Sequence, residues 1–139
     1  MLDGQAADNL VATAVGARQL AYAPYSGFAV GAAVLCADGR VFEGANIENA
    51  SLGATVCAER VAMFSARAAG CGEIRAIAVV GPGEQPVPPC GICRQVMAEL
   101  APGAVVIMQG ESGPRTTMTV EELFPAAFGP AQLPTPPQR

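Results

Sequence analysis

Apolar residues recur at helical spacing near the start of the chain and then gather into short runs. Residues 3–22 have one apolar face, which predicts an amphipathic helix that ends before Pro24. The apolar positions of this face are Leu10, Val11, Ala14, Val15, Ala17 and Leu20. Residues 28–35 and 40–46 predict two strands of a hairpin, because the pair Asp38-Gly39 between them favours a tight turn.

The second half of the chain alternates between helical and strand patterns. Residues 57–69 predict a helix that Gly70 and Gly72 end, and residues 74–80 are apolar and β-branched, as in a buried strand. The remaining predicted elements are a helix at 91–100, a strand at 104–109, a short edge strand at 115–118 and a short helix opened by a capping box at 119–122.

This alternation predicts an α/β fold. Helices and strands of these lengths favour a three-layer α/β/α sandwich around a mixed sheet of about five strands. No repeat or linker divides the chain, so residues 1–129 are predicted to form a single domain. Several prolines follow Gly129, and they predict a mobile tail over residues 130–139.

The order helix, strand, helix brings distant cysteines together. A helix joined to a strand by a short turn runs antiparallel to it, so the two helices run parallel and begin at one edge of the sheet. Cys57 stands at one helix start, and Cys90 and Cys93 stand at the other, so their thiols are predicted to converge. Cys71 follows the first of these helices and Cys36 precedes the hairpin turn, and for both we favour a small buried core residue.

Composition narrows the functions that the chain can have. Only 14% of the residues are charged, the net charge is −4 and lysine is absent, so no basic patch can hold a nucleic-acid backbone. No apolar run approaches the roughly 20 residues of a membrane span, and the first residues lack the features of a signal peptide. We therefore expect a cytoplasmic protein with no nucleic-acid partner and no membrane contact. An apolar content of 51% indicates that another subunit covers part of the surface.

The chain has five cysteines and no histidine, which restricts its chemistry. Ser-His and Cys-His nucleophilic pairs are excluded, and a metal site must use Cys, Asp or Glu. In a reducing compartment, cysteines are more often metal ligands, reactive thiols or core residues than disulfides. Three thiolates leave one position of a tetrahedral zinc ion open, as in catalytic sites. We therefore predict a zinc site at Cys57, Cys90 and Cys93.

Two charged residues follow Cys57 closely. Glu59 lies near the predicted metal without being a ligand, where it can carry protons between water and a substrate. Taken alone, a glutamate in a first helical turn is more often a surface residue that compensates the helix dipole, but the position beside a ligand favours the proton carrier. Arg60 can donate hydrogen bonds to the sulfurs and offset the negative charge of three thiolates.

Two segments, Cys57-Ala58-Glu59-Arg60 and Pro89-Cys90-Gly91-Ile92-Cys93, resemble the small homotetrameric zinc-dependent cytidine deaminases. The similarity covers about residues 10 to 130 and includes Pro24-Tyr25-Ser26 and Asn46-Ile47-Glu48. It implies a catalytic domain with one zinc ion per subunit, held by the three cysteines, and with Glu59 as the proton carrier. The implied reaction is hydrolysis of cytidine and 2′-deoxycytidine to uridine and 2′-deoxyuridine with release of ammonia, as in pyrimidine salvage.

The resemblance also implies the substrate contacts. Asn46 and Glu48 would hydrogen-bond the sugar, and their spacing of two residues at a strand end independently lets both face one diol. Phe28 would pack on the base, and the backbone at Ala58 would hold the pyrimidine edge. Phe128 would reach the site of a neighbouring subunit, so that a homotetramer shares its active sites.

Leu52 stands where many relatives carry Tyr, in a loop near the far end of the sugar. The resemblance therefore implies no contact to the 5′ side of the sugar.

Three other functions stay open. A deaminase of a cytosine-containing antibiotic of the blasticidin type would share the zinc motifs. A thiol-disulfide oxidoreductase would use Cys90 and Cys93, and a non-catalytic interaction domain would hold a structural zinc. Zinc content, insulin reduction and turnover of cytosine nucleosides separate these functions.

Overall fold

The computed structural model describes residues 2–134, which contain four α-helices and five β-strands. The helices are α1 (Gly4–Arg18), α2 (Ala58–Ala68), α3 (Gly91–Leu100) and α4 (Val120–Leu123). The strands are β1 (Gly31–Cys36), β2 (Val41–Ala45), β3 (Ile74–Val80), β4 (Val105–Gln109) and β5 (Arg115–Thr119). Short 3-10 turns lie at Leu52–Ala54 and Pro130–Gln132.

The strands form one mixed sheet in the order β2-β1-β3-β4-β5. Only the pair β3 and β4 is parallel among these five strands, and α3 forms the crossover between them. Helix α2 precedes β3, is joined to it by a short turn and runs antiparallel to it. The carboxyl end of β3 therefore meets the N-termini of both α2 and α3, as the sequence predicts.

Helices cover both faces of the sheet, and alternate residues of β3 separate two cores. Ala76, Ala78 and Val80 face a core with α1, while Ile77 and Val79 face a core with α2 and α3. A strand buried on both faces has to be apolar throughout, which explains the unbroken apolar run of β3. The predicted three-layer α/β/α sandwich with a mixed five-stranded sheet is confirmed.

Two predicted boundaries differ from the structure. Helix α1 ends at Arg18 rather than near residue 22, because the chain turns there and the N–H of Leu20 bonds the carbonyl of Ala17 at 2.9 Å. Strand β1 begins at Gly31 rather than at residue 28. The cause is the side chain of Asn46, which bonds the backbone before Gly31 and takes the place of a strand partner.

Helix α2 lies directly against β2 because Gly44 has no side chain. A Cβ at Gly44 would stand 2.5 Å from the carbonyl oxygen of Ala58 and 2.6 Å from the nitrogen of Ala62. No L-residue tolerates such contacts, so glycine permits this close packing. The start of α2, which carries Cys57, thereby lies beside the end of β2, which leads into Asn46.

Cys36 and Cys71 are joined by a disulfide, which corrects the expectation of two separate core thiols. Both residues are buried, as predicted, and their Cα atoms lie 6.0 Å apart, a distance that a disulfide spans. Their proximity is a tertiary feature. Cys36 pairs with Ile74 in the β1–β3 ladder, and Cys71 lies just before Ile74 in the chain. The spacing of the two cysteines in the sequence carries no signal of this pairing.

The predicted tail lies only partly within the described structure. Pro130–Gln132 form a 3-10 turn, whereas residues 135–139 lie outside the described residues. The boundary at residue 129 and the mobility of the tail stay predictions. Within residues 2–134, no helix combines the length and the apolar character needed to cross a bilayer.

Candidate zinc and substrate site

Three cysteine thiols meet where α2 and α3 begin. Cys57 is the N-cap of α2, Cys90 is the N-cap of α3, and Cys93 lies in the first turn of α3. Their Sγ atoms all lie within 4.8 Å of one another, with 3.6 Å between Cys57 and Cys90. Thiolates bonded to a tetrahedral zinc ion at about 2.3 Å stand about 3.8 Å apart. The donor set therefore fits one zinc ion, and the predicted convergence is confirmed.

The pKa values of Cys57 and Cys93 are shifted in opposite directions. A hydrogen bond with Cys93, followed by one from Arg60, lowers the pKa of Cys57 to about 5. The pKa of Cys93 is raised, because its hydrogen bond to Cys57 and its burial both favour the protonated thiol. Like charges in so small a volume cannot all form without a cation. A bound metal ion would displace the remaining protons.

Arg60 supplies positive charge to this cluster. Its Nη2 donates to the Sγ of Cys57 at 3.4 Å, and its Nε is buried without a hydrogen-bond partner among the described residues. A buried guanidinium donor thus lies beside sulfurs that gain negative charge when a metal binds. The N-terminal ends of α2 and α3 add further positive potential at the same place.

Glu59 is buried, with 3% of its surface exposed, so it is not the surface residue that a first-turn glutamate usually is. Burial raises the pKa of its carboxyl group to about 7, and the neighbouring charge of Cys57 acts in the same direction. A carboxyl group with a pKa near neutrality can both accept and release a proton at neutral pH. Glu59 therefore has the properties that proton transfer needs.

The cluster opens into a cavity of about 330 Å³, which is within the range of small-molecule sites. The cavity brings together all but three of the residues predicted to form the site. Those in its lining are Phe28, Asn46, Glu48, Cys57, Ala58, Glu59 and Cys90. Of the other three, Cys93 is fully buried within the thiol cluster, Arg60 donates a hydrogen bond to Cys57, and Phe128 lies outside the cavity. Ala58 is the first residue of α2, where backbone N–H groups lack an acceptor within the helix.

Asn46 and Glu48, which are predicted to bind the sugar, form hydrogen bonds with residues 25–30, the segment that contains Phe28. The Oδ1 of Asn46 accepts from the N–H of Val30 at 2.9 Å, and its Nδ2 donates to the carbonyl of Phe28 at 2.8 Å. Glu48 accepts hydrogen bonds from the N–H groups of Tyr25 and Ser26. Both side chains therefore fix the loop before β1 as well as lining the cavity.

Phe128 and Leu52 lie outside this cavity. Phe128 is 58% exposed, and its carbonyl oxygen accepts a hydrogen bond from the side chain of Gln95 at 2.8 Å. Leu52 begins a 3-10 turn and is 77% exposed. Neither side chain completes the site of its own chain.

Sequence reasoning missed five residues of the cavity wall. They are Ser26, Val30, Thr55, Val87 and Pro88. A signal existed for Ser26, which belongs to the segment Pro24-Tyr25-Ser26 that resembles the cytidine deaminases. Val87 and Pro88 lie in an irregular loop between β3 and α3, where neither periodicity nor a motif points to a role.

Comparisons with known proteins agree with this site. The family model for the cytidine and deoxycytidylate deaminase zinc-binding region matches residues 5–109. A cytidine deaminase of Halalkalibacterium halodurans is 54% identical over 86% of this chain and 91% of its own length. One of Sporosarcina psychrophila is 45% identical over 91% of this chain and 93% of its own length.

A solved structure shows the same architecture. The crystal structure of a cytidine deaminase from Burkholderia pseudomallei has a TM-score of 0.83 and 50% sequence identity, and the match covers 87% of this chain and 98% of that chain. The thiol cluster is placed to bind the zinc ion after which the family region is named. The chain therefore belongs to the cytidine and deoxycytidylate deaminase family.

Proposed function

We propose that the protein hydrolyses cytidine and 2′-deoxycytidine to uridine and 2′-deoxyuridine with release of ammonia, as a cytoplasmic step of pyrimidine salvage. The observation that carries the proposal is the cavity in which buried Glu59 lies beside the thiols of Cys57 and Cys90. The names of the relatives point to the same activity.

Zinc held by the three cysteines would lower the pKa of a water molecule and make it a nucleophile at neutral pH. Glu59 takes the proton of that water on its carboxylate and delivers it to N3 of the cytosine ring, which makes C4 open to attack. The same carboxyl group then takes the proton of the hydroxyl added at C4 and delivers it to the amino group, so that the C4–N bond breaks and ammonia leaves. A pKa raised to about 7 by burial suits both directions of this transfer.

The cavity wall orients the substrate. The ring of Phe28, which is 46% exposed, packs on the base, and the N–H groups at the start of α2, including that of Ala58, hold the pyrimidine edge. These contacts bind the ring near Glu59 without taking part in proton transfer. Asn46 and Glu48, which line the same cavity, bind the sugar.

The remaining hydrogen-bond capacity of Asn46 and Glu48 includes a donor and an acceptor that can serve one hydroxyl group. The amide of Asn46 already donates to Phe28, so one N–H is left to donate. Glu48 has an acceptor position left on one carboxylate oxygen. One donor and one acceptor match a hydroxyl that both accepts and donates. Ribose and 2′-deoxyribose share such a hydroxyl, so both nucleosides are expected as substrates.

The proposal is tested by the loss of cytidine absorbance with the native protein and with Glu59→Gln. We expect Glu59→Gln to lower kcat about a thousandfold, the effect of removing a general acid–base group, while zinc content stays near one per chain. Glu73→Gln is the matched control, because Glu73 is an exposed glutamate that lies outside the cavity and whose carboxylate forms a salt bridge with Arg75. It should leave kcat and zinc content unchanged.

Three outcomes would contradict the proposal. A native protein that binds zinc but turns over no cytosine nucleoside would indicate a structural metal site. Turnover of a blasticidin-type antibiotic with no turnover of cytidine would assign the substrate differently. Reduction of insulin that depends on Cys90 and Cys93 would indicate an oxidoreductase.

We also propose a homotetramer in which Phe128 of one subunit closes the site of another. Large apolar side chains are exposed at Phe28, which lines the cavity, and at Tyr25, Leu52 and Phe128. A partner subunit that covers these side chains would remove the unfavourable free energy of exposing them to water. Light scattering during size-exclusion chromatography should give about four times the mass of the chain. A monomer with full activity would refute the shared site.

A further inference from the structure

The carboxylate of Glu48 is held by a fixed set of donors. Its Oε1 accepts the N–H groups of Tyr25 at 2.9 Å and of Ser26 at 3.1 Å. Its Oε2 accepts the hydroxyl of Ser26. A carboxylate oxygen has about two acceptor positions, so Oε1 is filled and Oε2 has one position left. The backbone contacts thus fix one oxygen, and the side chain of Ser26 fixes the other.

The hydroxyl of Ser26 has its own direction set by the chain. Its Oγ accepts the N–H of Phe28 at 3.0 Å, so the hydroxyl proton is free to point at Glu48. The same donors keep the pKa of Glu48 below its usual value, chiefly through the Ser26 hydroxyl, so the carboxylate stays ionised. Ser26, Phe28 and Glu48 all line the same cavity.

We propose that Ser26 is a positioning residue for sugar recognition, because its hydroxyl holds Oε2 of Glu48 with one acceptor position left for a substrate hydroxyl. This inference rests on the proposed function, in which Glu48 binds the sugar. Ser26 touches Glu48 rather than the reacting atoms, so it acts on binding and not on the chemical step. Without the hydroxyl, Oε1 stays bonded to two N–H groups while Oε2 is free to turn towards solvent.

The proposal predicts a defect that depends on the sugar. Ser26→Ala should raise KM for cytidine about tenfold, the effect of misplacing a hydrogen bond to a charged group, and should change kcat by less than about twofold. With 2′,3′-dideoxycytidine, which has neither ring hydroxyl for Glu48 to bind, KM should be equal for Ser26→Ala and the native protein. Ser26→Thr keeps the hydroxyl and should restore most of the affinity for cytidine.

A double-mutant cycle with Glu48→Gln shows whether Ser26 acts through Glu48. In the Glu48→Gln background, Ser26→Ala should have no further effect on KM for cytidine. Ser112→Ala is the control, because Ser112 is an exposed serine that does not line the cavity. Ser26 is itself exposed, so the variants are expected to fold, and Ser26→Gly serves as a second deletion of the hydroxyl.

Each outcome decides the proposal. An equal rise in KM for cytidine and dideoxycytidine would assign Ser26 to Phe28 and the base, and would overturn the proposal. An unchanged KM for cytidine, or additive effects of Ser26→Ala and Glu48→Gln, would overturn it as well. A native protein without deaminase activity would instead refute the proposed function, so the two failures are distinct.

Discussion

The cysteines of this chain form two groups at opposite ends of helix α2, and the two groups have opposite chemistry. Cys57 caps the start of α2 and meets Cys90, from which it is separated by 33 residues. Cys71 follows the end of α2 and is bonded to Cys36, at a separation of 35 residues. The helix between them is about 16 Å long. Sequence separation is thus nearly the same, and the surroundings make the difference.

The surroundings of the thiols differ between the two ends. The thiols at the start of α2 lie beside two helix N-termini and Arg60, whose positive potential offsets the negative charge of thiolates that bind a metal ion. Cys36 and Cys71 are both part of the apolar core, 2% and 4% exposed, and their sulfur atoms are bonded to each other. One group is therefore suited to coordination, and the other to a covalent link between β1 and the end of α2.

The largest effect should come from removing a ligand. We expect Cys90→Ala to reduce zinc from about one per chain to near zero and to lower activity by more than about a thousandfold, because catalysis depends on the metal. Cys90 is exposed, so its removal leaves no buried cavity. Metal analysis and the cytidine assay measure both effects. Full activity of metal-free Cys90→Ala would abolish the distinction between the two groups.

Removing the disulfide should affect stability and leave the metal alone. The double variant Cys36→Ala, Cys71→Ala should lose about 2–4 kcal/mol of unfolding free energy, as expected when a cross-link between residues 35 apart is lost. Thermal unfolding should therefore occur roughly 10 °C lower. Zinc content and kcat at room temperature should match those of the native protein.

A reductant gives an independent test of the same link. Treatment with a phosphine should lower the unfolding temperature of the native protein and have no effect on the double alanine variant. An equal shift in both proteins, or loss of zinc from the double variant, would show that the two cysteine groups are not independent.

The part of this comparison that concerns the metal could be predicted from the sequence, and the part that concerns the disulfide could not. Convergence of Cys57 with Cys90 follows from the direction of two helices around one strand, which local patterns define. The pairing of Cys36 with Cys71 depends on the register of β1 against β3, which shifts between Leu35 and Cys36. Because β1 is buried on both faces, its continuous apolar run does not specify this register.

The same division holds for the rest of the molecule. β3 and α3 match their predicted bounds, because an apolar run and flanking Gly and Pro residues define them locally. The start of β1 was misplaced because the side chain of Asn46 replaces a strand partner there. In the site, a motif located the thiols and Glu59, while Val87 and Pro88 reach the cavity through a loop whose path only tertiary packing sets.

The smallest effect, and the sharpest test of the electrostatic contrast, comes from the two arginines of α2. Arg60 lies in the first turn, where the helix dipole opposes a positive charge, and Arg67 lies in the last turn, where the dipole favours one. Arg60→Ala should therefore cost the metal-free protein little stability but speed zinc release about tenfold, because a hydrogen bond to the Cys57 thiolate is lost.

Arg67→Ala is the matched control at the other end of the helix. Loss of its favourable interaction with the dipole should cost about 0.3–1 kcal/mol of stability and leave zinc release unchanged. Release can be followed with a chromophoric chelator, and stability by thermal unfolding of the metal-free proteins. Equal release rates for Arg60→Ala and the native protein would mean that the helix ends alone hold the thiolates. The charge that separates the two cysteine groups would then come from the backbone and not from Arg60.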